Sequence, residues 1–200
     1  MTKNIFDSMA SHYDSPERQQ LAEIIRKEVQ SQLPKDIAEK TLLDYGGGTG
    51  LVSLPLAKRF KEVIIADASE AMLETAEKKI QQAKLENVRT IHADATVSFP
   101  TVQADVILLS LVLLHIPDTD TILKKLHEHL SADGQLFLVD FDKNEAISHP
   151  KVHNGFEQKV LEEQLEEAGF IPSESHTFHH GSKIFMNQDA SLFLSISKKA

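Results

Sequence analysis

The chain has 200 residues, 41% of them hydrophobic and 26% charged, ordinary values for a globular protein long enough to bury one real core. Cysteine is absent, which excludes disulfides, thiolate metal sites and a cysteine nucleophile. With 21 basic against 30 acidic side chains the net charge is −9, a poor match for phosphate backbones or anionic lipid.

Residues 1–7 show no apolar run and no small-residue cleavage pattern. The longest apolar stretch, 106–116, is a little over half the ~20 residues of a membrane helix and contains Ser110 and His115. The reading is a cytoplasmic protein without membrane insertion. Neither a repeat nor a glycine- or proline-rich linker divides the chain, so 1–200 reads as a single domain.

From Ser15 the pattern is helical. Ser15 suits the N-cap, Pro16 the first turn and Glu17 the helix dipole, while Leu21, Ile24, Ile25 and Val29 recur on one face. After Pro34, short apolar runs alternate with amphipathic stretches. Strands are predicted at 41–45, 63–66, 88–92, 105–110 and 135–140. Helices are predicted from the glycine turn after residue 45 to about 59, at 70–84, at 121–130 ending in Ser131–Gly134, and at 156–168 ending in Gly169 and Pro172. Asn154 and Glu157 have capping-box spacing for the last helix. The tail, 174–179 and 191–197, alternates polar and apolar residues and reads as an antiparallel pair. The fold class is therefore α/β: a doubly wound, mostly parallel twisted sheet with helices on both faces and a C-terminal antiparallel hairpin. In such sheets ligands sit beyond the carboxyl ends of the strands.

The most informative stretch is Leu42-Leu43-Asp44-Tyr45-Gly46-Gly47-Gly48-Thr49-Gly50. Glycines at a strand-to-helix turn let backbone approach a ligand closely. A dinucleotide fingerprint would need glycine at 51, where Leu51 stands, and no Gly-Lys-Ser/Thr follows to make a P-loop. Asp67 ends the second strand, where a carboxylate can accept both hydroxyls of a ribose. Asp94, just beyond the third strand, could accept from an adenine amino group, and Met72 could rest on a purine face.

Taken together, these segments resemble the class I S-adenosylmethionine-dependent methyltransferases, small bacterial members included. The resemblance is carried by LLDYGGGTG at 42–50, IIADASEAML at 64–73, HADA at 92–95, DVILLSLVLLHIPD at 105–118 and LSADGQLFLVDF at 130–141, with Phe6-Asp7 and Tyr13-Asp14 ahead of them. It implies a Rossmann-like methyltransferase domain: an N-terminal helical cap over 1–34, a cofactor-binding core over 41–141 and a C-terminal helix and hairpin over 151–200. It also implies roles. Asp44, Gly46 and Gly48 would line the methionine and ribose part of S-adenosylmethionine. Asp67 would hold the ribose hydroxyls, with Ala68 and Met72 beside the adenine. Asp94 and the Ala95 amide would read the adenine edge. Ser110 would lie under the methionine end, and Tyr13 would cover it from the N-terminal helix. Two positions depart from the family pattern. Pro55 suggests a local bend, and Gly47, where many relatives carry Cys or Ala, looks harmless.

The resemblance implies methyl transfer, leaving S-adenosylhomocysteine, without naming the acceptor. Cytosine-C5 chemistry needs a cysteine nucleophile, and the Asn/Asp-Pro-Pro-aromatic motif of amino-methylating DNA enzymes is replaced by Ser110-Leu111-Val112-Leu113. A small-molecule acceptor remains, with O, N or C as the accepting atom, and nucleic acid is not an expected partner. His115 and His153 flank the carboxyl edge and are the candidates for a base or an acceptor-orienting group. His127/His129 and His179/His180 diverge in direction, and Asp140-x-Asp142-x-Asn144 lacks the later calcium-loop residues, so no metal is expected. A non-catalytic S-adenosylmethionine-binding regulatory module is the alternative.

Overall fold

The computed structural model describes residues 7, 10–94, 99 and 101–199. The chain forms two compact units that meet between Ala104 and Asp105.

In the first unit, α1 (Pro16–Gln32) begins as its sequence dictates: the Ser15 side chain accepts from the Arg18 amide, and Pro16 occupies the first turn. Ala22, Ile25 and Val29 form its buried stripe, with Leu21 and Ile24 half-buried on the flanks. Strands β1 (Thr41–Tyr45), β2 (Glu62–Asp67) and β3 (Val88–His92) are parallel in the order β3-β2-β1. Leu43 pairs with Ile64 and Asp67 with His92. Val63 through Ala66 are wholly buried, which is why β2 reads as an unbroken apolar run. Helix α2 (Glu70–Ala83) is capped by Ser69, whose side chain accepts from Met72, and closes on Lys84 in a left-handed conformation.

Between β1 and β2 the sequence predicts a helix. The structure instead has a turn and then a 3₁₀ helix, Leu54–Arg59. Leu54 makes one helical bond to the Gly50 carbonyl, but Pro55 has no amide to make the next, and Leu56 bonds three residues back to Ser53.

The second unit contains β4 (Ala104–Ser110), a 3₁₀ turn at Leu113–His115, α3 (Thr119–His129), β5 (Leu130–Phe141), α4 (Gln158–Glu167), β6 (Phe170–Phe185) and β7 (Gln188–Lys199). Their order is β4-β5-β7-β6, with β7 antiparallel to both neighbours. Phe137 and Phe193 are fully buried at its centre, and truncating either to alanine would cost about 3–5 kcal/mol. Three boundaries differ from expectation. Helix α3 starts at Thr119 because Asp118 caps the Thr121 amide at 3.0 Å. Residues 131–134, read as a helix-ending turn, belong to β5, with Asp133 at φ 61°. The Asn154/Glu157 capping box does not form. Phe156 is still bridged to Asp142 and donates to the Phe141 carbonyl, so the backbone stays extended two residues longer and Glu157 becomes the N-cap without a side-chain bond.

The seven strands belong to one mostly parallel sheet with a C-terminal antiparallel pair, as expected. Among the described residues no helix is long and apolar enough to cross a membrane.

Candidate cofactor and active-site residues

In the first unit, β1 delivers its chain into a turn built by glycine. Gly46, Gly48 and Gly50 have φ of 73°, 55° and 75°, a region that side-chain-bearing residues rarely adopt. The amides of Gly46 and Gly47 both donate to the Ala66 carbonyl, at 2.7 and 3.2 Å, tying the turn to the end of β2. A Cβ on Gly50 would strike Leu54 and Ile65, so that position is filled by core. A Cβ on Gly48 would meet nothing nearer than 4.0 Å, from Asp67 Oδ2 and Tyr13 Cε1. The space over Gly48 is thus open and bordered by a carboxylate and an aromatic ring.

Asp67 Oδ2 accepts the Gly48 amide at 2.8 Å and Oδ1 accepts the Ser69 amide at 2.8 Å. The carboxylate keeps acceptor capacity for a ligand hydroxyl beyond these bonds. Burial raises the Asp67 pKa, against the pull of the Ser69, Gly48 and Ala68 amides and His92. Asp44 is only 2% exposed, and its Oδ2 has no hydrogen-bond partner among the described residues. Burial pushes its carboxyl up to about 7, the Ser53 side chain opposes this, and the charge of Asp67 pushes it further. The bare Cα of Gly47 is not a neutral departure, because a Cβ there would lie 2.5 Å from Asp44 Oδ2.

Tyr13 stands ahead of α1, not within it, with the Arg18 guanidinium 4.1 Å from its ring centre. Burial raises its hydroxyl pKa and Arg18 lowers it. Sequence reasoning gave no role to Asp14 or Lys79. Asp14 accepts from Thr49 Oγ1 at 2.5 Å and from Lys79 Nζ at 2.7 Å, anchoring the segment beside the glycine turn. Ser69 also donates to Asp7, at 2.6 Å. Tyr13-Asp14 was the available signal; nothing local points to Lys79, 65 residues further on. Ala68 is half-buried, and its carbonyl meets His92 Nε2 at 3.1 Å. Met72 is 2% exposed, its side chain committed to the core and not displayed at the surface. Asp94 is half-buried; burial raises the pKa of Tyr45 and the charge of Asp94 adds to it, and the Tyr45 ring stacks on Phe99 at 4.8 Å. Ala95 and Phe6 lie outside the described residues.

In the second unit, Ser110 ends β4 half-buried, and Leu111 follows at φ 57°, donating to the Val139 carbonyl. His115 ends the 3₁₀ turn, its pKa lowered by burial and by His149. His153 is tied to the same loop: its amide donates to the Leu114 carbonyl and its ring Nε2 to the Ile116 carbonyl, both at 2.9 Å. Asp140, read from sequence as a strand-ending acid, is fully buried. Its Oδ1 accepts the Phe141 amide at 2.8 Å and its Oδ2 the Leu114 amide at 3.1 Å. Burial pushes its carboxyl up to about 7 against these amides and that of Leu113. His153 and Asp140 therefore hold one loop from its carbonyl and amide sides.

A parallel strand feeding a left-handed glycine turn, with a carboxylate at the tip of the next strand, is the arrangement of nucleotide-binding α/β sheets. Residues 43–138 match the family described as a methyltransferase domain, and the resemblance read from the sequence is borne out. Over 127 residues the chain is 28% identical to the ubiquinone/menaquinone biosynthesis C-methyltransferase of Escherichia coli, covering 61% of this chain and 51% of the relative. The chain spans about half the length of the curated relatives it matches. A chain in the complex between the Haloferax volcanii Trm112 methyltransferase activator and a methyltransferase superimposes with a TM-score of 0.82 at 14% identity, covering 99% of each. An Aquifex aeolicus S-adenosylmethionine-dependent methyltransferase superimposes at 0.73 with 19% identity, covering 95% of this chain and 97% of the other.

Proposed function

We propose that this chain acts as a single methyltransferase domain over residues 1–200, moving a methyl group from S-adenosylmethionine to a small-molecule acceptor by in-line displacement. The observation that carries the reading is Asp67, poised with acceptor capacity beside the open space over Gly48. The buried Oδ2 of Asp44, without a partner among the described residues, fits a ligand that brings a polar group to the same turn.

When bound, S-adenosylmethionine supplies an already activated methyl on its sulfonium. This chain's residues then bind, orient and exclude water. Asp67 accepts the ribose hydroxyls. Gly46 and Gly48 admit the cofactor against the backbone, and Asp44 faces its methionine end. Ala68 and Asp94 would border the adenine, and Tyr13 would cover the glycine turn; Met72 would support this wall from the core rather than touch the ring. His115, kept neutral by burial, is the candidate to take a proton from a protonated acceptor, with His153 holding its loop. The acidic net charge supports a small molecule over nucleic acid. The name of the Escherichia coli relative, a C-methyltransferase, makes a carbon acceptor the first class to assay.

Calorimetry with S-adenosylhomocysteine, followed by methyl-transfer assays over phenolic, amine and ring-carbon acceptors, tests the reading. Binding with turnover on one class supports it. Binding without turnover on any acceptor leaves a cofactor-binding module and overturns the enzyme. With an acceptor in hand, His115→Ala should keep S-adenosylhomocysteine affinity and lose turnover.

A further inference from the structure

Two carboxyl groups face the glycine turn of the first unit, and their surroundings divide the charge between them. Asp67 accepts backbone amides from Gly48 and Ser69, bonds that favour an ionised carboxylate. Asp44 lies in a niche that exists because residue 47 has no side chain. A Cβ at 47 would sit 2.5 Å from Oδ2 and 2.6 Å from Cγ of Asp44, with the Ile65 Cγ2 methyl closing the space at 3.0 Å. Oδ2 has no partner among the described residues, and the charged group acting on Asp44 is the like-charged Asp67 of β2. From the segment ahead of α1 the facing titratable group is Tyr13, neutral at physiological pH, and the turn before the 3₁₀ helix adds the uncharged Ser53 side chain. A buried acid with an apolar wall, an anionic neighbour and no cation acting on it among the described residues is more stable protonated.

We propose that Asp44 holds a proton in the ligand-free protein and releases it to solvent when a ligand carrying a protonated α-amine enters the turn. The inference rests on the cofactor assignment proposed above and adds to it a linkage between binding and proton release. The carboxyl O–H bond breaks, the proton passes to the buffer, and the resulting carboxylate pairs with the incoming ammonium. The ammonium replaces the cation that the fold withholds. Gly47 is then a positioning residue, acting on the ligand only through Asp44.

The test is calorimetry of S-adenosylhomocysteine from about pH 5.5 to about 8.5, in paired buffers of different ionisation heat. 5′-Methylthioadenosine, which lacks the amine, is the control. S-Adenosylhomocysteine affinity should fall about tenfold per pH unit below about 7 and level off above it, with close to one proton released near pH 6. Methylthioadenosine should bind without that release. Asp44→Asn should abolish the release, and Gly47→Ala, whose methyl takes the niche, should move the affinity break to lower pH. Binding of S-adenosylhomocysteine by the wild type with no proton released near pH 6 overturns the inference while leaving the cofactor assignment intact. Failure to bind it at any pH overturns the assignment and the inference together. Carboxyl NMR of the ligand-free wild type decides independently of any variant's folding: an Asp44 signal titrating in the ordinary carboxylate range overturns the proposal, and one titrating near 7 supports it.

Discussion

Gly48 donates its amide to the Asp67 carboxylate at 2.8 Å, joining the glycine turn to the tip of β2 across 19 residues of sequence. The bond makes Asp67 the brace of the turn, and on the proposed reading the same carboxylate accepts from the ligand. Asp67→Ala should therefore weaken S-adenosylhomocysteine by about 2–3 kcal/mol, the loss of charged hydrogen bonds to two hydroxyls. Calorimetry reads this directly, and wild-type affinity in the variant would remove Asp67 from the site.

The two fully buried carboxyls, Asp44 and Asp140, give stability an unusual pH dependence. Burial raises both to about 7, above the ordinary carboxylate value of the unfolded chain. The folded state thus binds more protons, so this contribution is complete below about pH 4 and is lost as pH rises through about 7. Urea unfolding should show a decline on the order of a few kcal/mol between about pH 4 and about pH 7, and Asp44→Asn should remove its share while that of Asp140 remains.

Asp140→Ala unhooks the amides of Phe141 and Leu114 from their acceptor and leaves them buried. The expected cost is about 1–3 kcal/mol for the unsatisfied donors. Hydrogen exchange should accelerate at Leu114 while remaining unchanged at Ile64 of β2.

Gly155 allows no side chain. Its φ is 93°, and a Cβ would lie 2.4 Å from the Asp142 carbonyl oxygen, which belongs to the backbone and has little freedom to yield. Gly155→Ala should destabilise by more than about 1 kcal/mol, read as a lowered urea midpoint, with the β5–α4 connection opening first.

Strands β1 and β3 were legible to the residue: β1 is a short apolar run closed by glycine, and β3 is a short segment with β-branched Val88, Thr90 and Ile91 that starts after Asn87. The glycine turn and the place of Asp67 at the end of β2 were legible because the glycines mark the left-handed backbone and the acid closes an apolar run. What escaped depended on distance or on a competing local choice. The 3₁₀ helix at Leu54–Arg59 follows from one missing amide at Pro55, yet the surrounding residues all favour a helix. The Asn154/Glu157 pair has the right spacing for a cap, but a bridge between Phe156 and Asp142 holds the chain extended through it. Asp140 sits where strands commonly end in an acid, and only the folding back of Leu114 turns it into an acceptor of amides. Lys79 reaches Asp14 from another element altogether, a relation no periodicity encodes.

Strand β6 is the last in the sheet and runs for 16 residues, long enough to offer its outer backbone edge to a second chain. Its pairing with β7 slips between Pro172 and Glu174, between Thr177 and His179, and between Gly181 and Phe185. Each slip rotates the backbone out of a continuous row of donors and acceptors, and Pro172 contributes no donor at all. An incoming strand could match only a few residues before losing register. The irregular hairpin therefore works as a stop against edge-to-edge polymerisation, protecting concentrated protein from growing into fibrils along its open side.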